Sequence, residues 1–217
     1  MPTRAYTIAL ANLKGGCGKT TISTNLSAAC AMRGRVGLID ADPQGALKHW
    51  VDWQQGDSAT TTALPTLHAE HANPLDNLLS AQTQNDFVIA DCPPSLDIAI
   101  TQAILTHCDF VLVPVLPSPL DLWASAQTID IIHQARTQNP SLRAALVLNQ
   151  TEPKSAMTRA MQQAIAKLNT PVLTTSVRRR AAYRNAVVEG VSVFQLGVRG
   201  REAANEIQQI LIEVLPQ

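Results

Sequence analysis

Residues Ala11-Asn12-Leu13-Lys14-Gly15-Gly16-Cys17-Gly18-Lys19-Thr20-Thr21, ANLKGGCGKTT, decide the reading of this chain. They follow a short apolar run, Tyr6–Asn12, and precede a segment of helical character beginning at Lys19. A glycine-rich loop in that position lets backbone N–H groups turn inward around a phosphate, and the following helix adds the partial positive charge of its N-terminus. Gly15, Gly16, Cys17, Gly18, Lys19, Thr20 and Thr21 are therefore the expected nucleotide-binding residues. Lys19 is expected to reach the β- and γ-phosphates, and the Thr20 hydroxyl to ligate Mg²⁺. One lysine suffices for that chemistry, yet a second, Lys14, stands five residues earlier.

Outward from the loop, strand-length apolar runs alternate with helix-length segments. The runs are Tyr6–Asn12, Val36–Asp40, Phe87–Asp91, Phe110–Val115, Ala144–Asn149 and Val172–Val177. Several are apolar throughout, as in a parallel sheet buried on both faces. The intervening helices are expected over Lys19–Arg33, Gln44–Gln54, Pro74–Gln84, Leu96–His107, Pro119–Thr137, Ser155–Leu168 and Arg201–Leu215. Ser118, Pro119 and Asp121 together mark a helix start: a cap, a residue suited to the first position, and an acidic side chain three residues after the cap. This order predicts one α/β domain over residues 1–217, a doubly wound, mostly parallel sheet with helices on both faces. Its ligands are expected beyond the carboxyl ends of the strands. The polar stretch Gly56–Thr62 is expected to be a surface loop.

Composition agrees with this class. The 217 residues are 46% hydrophobic and 16% charged, with zero formal net charge, which excludes a disordered or fibrous chain. Cysteines 17, 30, 92 and 108 form no C-x-x-C pair, so a reduced cytoplasmic protein without disulfides or structural zinc is expected. The histidines at 49, 68, 71, 107 and 133 are dispersed and suggest no catalytic partner. The N-terminus carries no signal-peptide pattern, and no stretch reaches the roughly 20 apolar residues of a membrane span.

The loop departs from G-x-x-x-x-G-K-[ST] by having Leu13 where the first glycine would stand. The pattern K-G-G-x-G-K-T-T resembles instead the deviant Walker A loop of the ParA/MinD ATPases, with Lys14 as its hallmark. Other segments resemble that family in order. In LIDADPQG, Leu38–Gly45, Asp40 is similar to a residue holding a Mg²⁺-bound water, and Asp42 to the one orienting the attacking water. In FVIADCPPS, Phe87–Ser95, Asp91 resembles a Walker B aspartate. VPVLPSPLDLWA, Val113–Ala124, resembles a segment beside the dimer interface, and Asn149 stands where the family often contacts adenine. The resemblance runs from Tyr6 to about Leu215, nearest the small ParA-type partition ATPases without an N-terminal DNA-binding domain. It implies an ATP- and Mg²⁺-dependent ATPase that forms a homodimer on binding ATP. Lys14 of each subunit would then reach the other subunit's phosphates, so Lys14, Lys19 and Asp42 are the expected catalytic residues, and Thr20, Asp40 and Asp91 the metal-facing ones.

Toward the C-terminus, Arg178, Arg179, Arg180, Arg184, Arg199 and Arg201 are opposed locally only by Glu189. In small ParA-like proteins basic residues here bind DNA without sequence preference, so Arg178, Arg179, Arg180, Arg199 and Arg201 are the expected DNA contacts. Aromatic stacking residues are scarce there, Tyr183 being one, which favours the duplex backbone as ligand. The last helix has an apolar stripe, Ile207, Ile210, Leu211, Val214 and Leu215, but carries Glu202, Glu206 and Glu213. It is expected to pack into the core and not to bind a membrane. The resemblance also implies a nucleoid-associated cytoplasmic protein whose cargo, a plasmid, chromosome or protein assembly, carries an activator of hydrolysis. Two alternatives remain open from the residues: a P-loop metabolic kinase or ligase, and an electron-transfer ATPase like the nitrogenase iron protein.

Overall fold

The computed structural model describes residues 4–50, 66–68, 73–94, 98–152 and 155–216. Six strands, β1 Tyr6–Leu10, β2 Val36–Asp40, β3 Thr66–His68, β4 Phe87–Asp91, β5 Phe110–Val115 and β6 Arg143–Leu148, form one sheet in the order β3-β2-β4-β1-β5-β6. All of its pairings are parallel. The doubly wound α/β class expected from the sequence is what the chain adopts.

Period-two alternation along each strand divides the core into two layers. Ile8, Leu10, Leu38, Ile89, Leu112, Ala145 and Val147 face the layer built with helices Lys19–Ala31 and Arg201–Val214. Their neighbours Ala9, Ile39, Val88, Ala90, Val111, Val113 and Leu146 face the opposite layer, which includes helices Pro74–Gln84, Ile98–Leu105 and Pro119–Arg136. Neither face of the central strands meets water, and that is why these runs are apolar throughout. Ile207, Ile210, Leu211 and Val214 are all fully buried, so the stripe of the last helix is core. Ser118 caps helix Pro119–Arg136 by accepting the Asp121 N–H at 3.3 Å.

The structure differs from the sequence reading in three places. The run Val172–Val177 is not a strand. It lies beside β6 through the hydrogen bonds Leu173 N–H to Leu146 O and Val177 N–H to Leu148 O. Between them the amides of Thr174 and Thr175 donate to the Glu213 carboxylate, which breaks the ladder. Helix Ala181–Val188, read as part of a basic stretch, buries Ala182, Tyr183 and Ala186. Strand β3, pairing with β2, went unanticipated. The expected loop Gly56–Thr62 lies outside the described residues, as do His71, Ser95 and the last four residues, 51–54, of the helix expected over Gln44–Gln54, whose residues 46–50 are helical.

Connections leave β1 toward β2 on one side and β4 toward β5 on the other. The crevice beyond their carboxyl ends is therefore where ligands of such sheets bind. Register aligns Asp40 with Asp91, and Leu10 with Asp91, so the glycine loop after β1 emerges beside both carboxylates.

Candidate functional site: a phosphate loop with a tethered second lysine

The loop is shaped by two left-handed glycines, Gly16 at φ 75° and Gly18 at φ 96°. Gly18 is also the N-cap of helix Lys19–Ala31, which has no side-chain cap and no acidic residue in its first turn. Its first N–H groups and partial positive charge are thus left to an incoming anion. Gly15 and Gly16 face open space, whereas a Cβ on Gly18 would stand 2.1 Å from Asn149 Nδ2. Asn149 itself, 4% exposed, donates to Cys17 O at 2.7 Å and accepts the Gln150 N–H at 2.8 Å. It buttresses the loop from behind. Burial pushes the Cys17 thiol above its ordinary range, so this residue stays a neutral apolar filler.

Lys19 is buried, and its ammonium donates to the carbonyls of Asn12 at 3.0 Å and Lys14 at 3.2 Å. Among the described residues no carboxylate pairs with it. A buried ammonium held only by backbone oxygens, at the mouth of an uncapped helix, fits a polyphosphate. Lys14 is arranged differently. Its Nζ is 2.5 Å from Oδ2 of Asp121, whose side chain is 2% exposed against 34% for the lysine. The Ser118 hydroxyl donates to the same Oδ2, and Oδ1 is buried without a partner.

Asp91, fully buried at the end of β4, accepts the Thr20 hydroxyl at 2.6 Å and the Ser23 hydroxyl at 3.1 Å. Burial pushes its carboxyl up to about 7; the Asp40 charge adds to this, while the Thr20 hydroxyl and the Lys19 ammonium oppose it. Asp40, 2% exposed, accepts the N–H groups of Asp42 at 3.2 Å and Lys48 at 3.0 Å. Thr20, Asp40 and Asp91 are thus brought to one side of the loop, and they fit a hard cation that takes its remaining oxygens from phosphates and water. Among the described residues no three His, Cys, Asp or Glu side chains gather as a metal site. Asp42 lies in the turn after β2, with its carboxylate accepting the Gln44 N–H at 2.9 Å. Its hydrogen bonds among the described residues stay within that turn.

A cavity of about 230 Å³ opens from Gly18 and Thr21 of the loop, past Asn149 and Val177, to Arg178, Arg180 and Arg184. Part of the basic stretch is therefore the wall of the nucleotide crevice. The chain also brings carboxylates to it, of which the local count held only Glu189. Arg180 pairs with Glu202 and, at 2.7 Å, with Glu206; Arg179 with Glu152 at 3.2 Å; Arg199 with Glu189 at 2.9 Å. The side chains of Arg178, Arg184 and Arg201 have no carboxylate partner among the described residues and are exposed. Glu202 and Glu206 of the last helix are thus spent on Arg180. Sequence reasoning took Asp121 only as a helix-start residue. The available signal was its place in the Val113–Ala124 segment that already resembled an interface.

Residues 8–193 match the CobQ/CobB/MinD/ParA nucleotide-binding domain. The chain is 68% identical over 213 residues, 98% of each chain, to the maintenance of carboxysome distribution protein A of Halothiobacillus neapolitanus. Its fold superposes on the ATP complex of a Cyanothece McdA variant with a TM-score of 0.70, covering 99% of each chain at 18% identity. On the Mg-ADP complex of the septum site-determining protein MinD from Pyrococcus horikoshii the TM-score is 0.69, covering 94% of each chain at 20% identity. Loop, fold and matched sequence agree: the chain belongs to the CobQ/CobB/MinD/ParA family of nucleotide-binding domains.

Proposed function

We propose that this protein is an ATPase that distributes carboxysomes by cycling on DNA. The observation carrying the proposal is the 68% identity, end to end, with a protein named for maintaining carboxysome distribution. In this reading Lys19 and the amides of Gly15–Thr20 hold the β- and γ-phosphates. Thr20, Asp40 and Asp91 are the residues that would hold Mg²⁺, which would supply charge neutralisation for the departing phosphate. Asp42 turns out of its own loop to orient the attacking water. Lys14 crosses to the phosphates of a second copy, so ATP sets the association state. A partner carried by the cargo stimulates hydrolysis and returns the chain to monomers.

The exposed arginines without carboxylate partners, Arg178, Arg184 and Arg201, support a DNA surface that works by phosphate neutralisation. Arg180, held by Glu202 and Glu206, has its charge already compensated. With one phosphate per free arginine, the slope of log affinity against log salt is about −2.7 for a monomer and about −5.4 for a dimer. A DNA titration at several salt concentrations, with ATP, ADP and no nucleotide, tests this. Binding is expected with ATP only and without sequence preference. Changing Arg178, Arg184 and Arg201 together to glutamine should remove it. Equal affinity in all three nucleotide conditions, or full binding by the triple variant, would refute the DNA-cycling reading.

A further inference from the structure

We propose that the open edge of strand β6, beside Arg136 and Arg143, is a docking groove for an extended acidic segment of a partner protein. The groove lies at the amino ends of β5 and β6, whereas the phosphate loop follows the carboxyl end of β1, so it is separate from the nucleotide cycle described above. β6 is the last strand of the sheet. The Arg143 N–H donates toward β5, to Asp109 O. The Leu146 N–H instead donates outward to Pro171 O, and the Leu146 carbonyl accepts the Leu173 N–H from the same side. Main-chain groups alternate sides along a strand, so the N–H and C=O of Ala144 point outward as those of Leu146 do. The outer ladder stops before it reaches them. Its next donor would be Pro171, which has no N–H, and its next acceptor Asn169, which is held in a left-handed bend at φ 50°. Among the described residues Ala144 therefore keeps one main-chain donor and one acceptor free.

This edge opens onto a cavity of about 420 Å³ walled by Phe110, Pro140, Pro171 and Leu173, with Arg136 and Arg143 in its lining. Arg136 ends helix Pro119–Arg136 and donates through Nε to Leu142 O at 2.9 Å, which fixes its guanidinium and leaves the terminal nitrogens unbonded. The Arg143 guanidinium lies over the Phe110 ring, 5.4 Å from its centroid. Neither arginine pairs with a carboxylate among the described residues. Glu213 also lines the cavity, but both of its oxygens are taken by the amides of Thr174 and Thr175, at 2.7 and 2.9 Å. Two guanidiniums with open N–H forks suit carboxylates, which they can hold through paired hydrogen bonds. The free N–H and C=O beside them suit another extended chain, one residue of which can exchange both bonds with Ala144 when it lies antiparallel. A charge on an edge strand ordinarily discourages further pairing. Arg143, turned onto Phe110, instead favours an added chain of opposite charge. A DNA backbone fits less well, because its phosphates cannot donate to the Ala144 carbonyl and would be brought against Glu213.

The test is fluorescence anisotropy of a labelled octapeptide of alternating glutamate and valine, capped at both ends, with the nucleotide-free protein. Saturable binding is expected, and lysine in place of every glutamate should abolish it. Two further peptides carry N-methyl groups on the glutamates or on the valines, which keeps the charge but removes the N–H donors from one edge of the extended chain. At least one of them should bind about fivefold more weakly than the parent. Arg136→Gln combined with Arg143→Gln should weaken binding of the parent peptide at least about tenfold. The peptide comparisons need no variant, so they decide should the double variant not fold. No saturable binding, equal binding of the lysine peptide, unweakened binding of both methylated peptides, or full binding by a folded double variant overturns the proposal. Displacement by glutarate at matched carboxylate concentration would make the groove a small-anion pocket, and displacement by a short DNA duplex would make it a nucleic-acid surface. Either result overturns the assignment to an acidic segment.

Discussion

Replacing Gly18 by alanine puts two separable strains into the phosphate loop. Gly18 sits at φ 96°, where an L-residue costs about 1–2 kcal/mol. Its new Cβ would also meet Asn149 Nδ2 at 2.1 Å, so Asn149 must move. That movement breaks the 2.7 Å bond to Cys17 O and strands a buried amide, at a further cost of about 1–3 kcal/mol. A combined loss near 3 kcal/mol corresponds to a fall in melting temperature of about 6–12 °C for a domain of this size. Asn149→Ala removes the obstacle, so in that background Gly18→Ala should cost only the backbone term. Urea unfolding of the nucleotide-free wild type, both single variants and the double variant measures the coupling. An equal cost for Gly18→Ala in both backgrounds would refute the claim that Asn149 dictates glycine at position 18.

Three further outcomes are expected. Asp42→Ala should bind ATP and accumulate as a dimer while single-turnover hydrolysis falls at least about a hundredfold; hydrolysis at the wild-type rate would confine Asp42 to shaping its turn. With the Asp91 carboxyl at about 7 in the fold against an ordinary 3.8, the folded protein holds a proton that the unfolded chain has lost between those values. Stability of the nucleotide-free protein should therefore be fullest below that window and decline as pH rises through it, and denaturant titrations should show a flatter profile for Asp91→Asn. Arg180→Gln should cost about 1–3 kcal/mol of stability by stripping Glu206 of its cation while leaving the salt slope of DNA binding unchanged; an altered slope would return Arg180 to the DNA surface.

The phosphate loop and its carboxylates were legible because each depends on a short local pattern: glycines before a helix, and aspartates at the ends of apolar runs. The parallel sheet was legible because both faces of β1, β4 and β5 are buried and leave runs that are almost wholly apolar. The strand expected at Val172–Val177 was lost to a carboxylate 38 residues away, that of Glu213 on Thr175, which no local window contains. Compensation of Arg180 by Glu202 and Glu206 is equally non-local, so a count of neighbouring charges overstated the free basic surface. Asp121 escaped notice because a helix-start aspartate has an ordinary local explanation. Its second employment appears only when the loop, 107 residues distant, is folded against it.

The last helix holds the wall of the nucleotide crevice together. Glu206 binds Arg180, the Tyr183 hydroxyl and the Arg178 amide, and Glu213 binds Thr174 and Thr175, while the Val214 carbonyl accepts the hydroxyl of Tyr6 on the first strand. These partners are 23 or more residues apart in sequence, and in one case 208. During synthesis the crevice therefore stays unfinished until the end of the chain has left the ribosome. A nascent or prematurely terminated copy, though it already carries the complete phosphate loop, has no finished wall against which to hold a nucleotide.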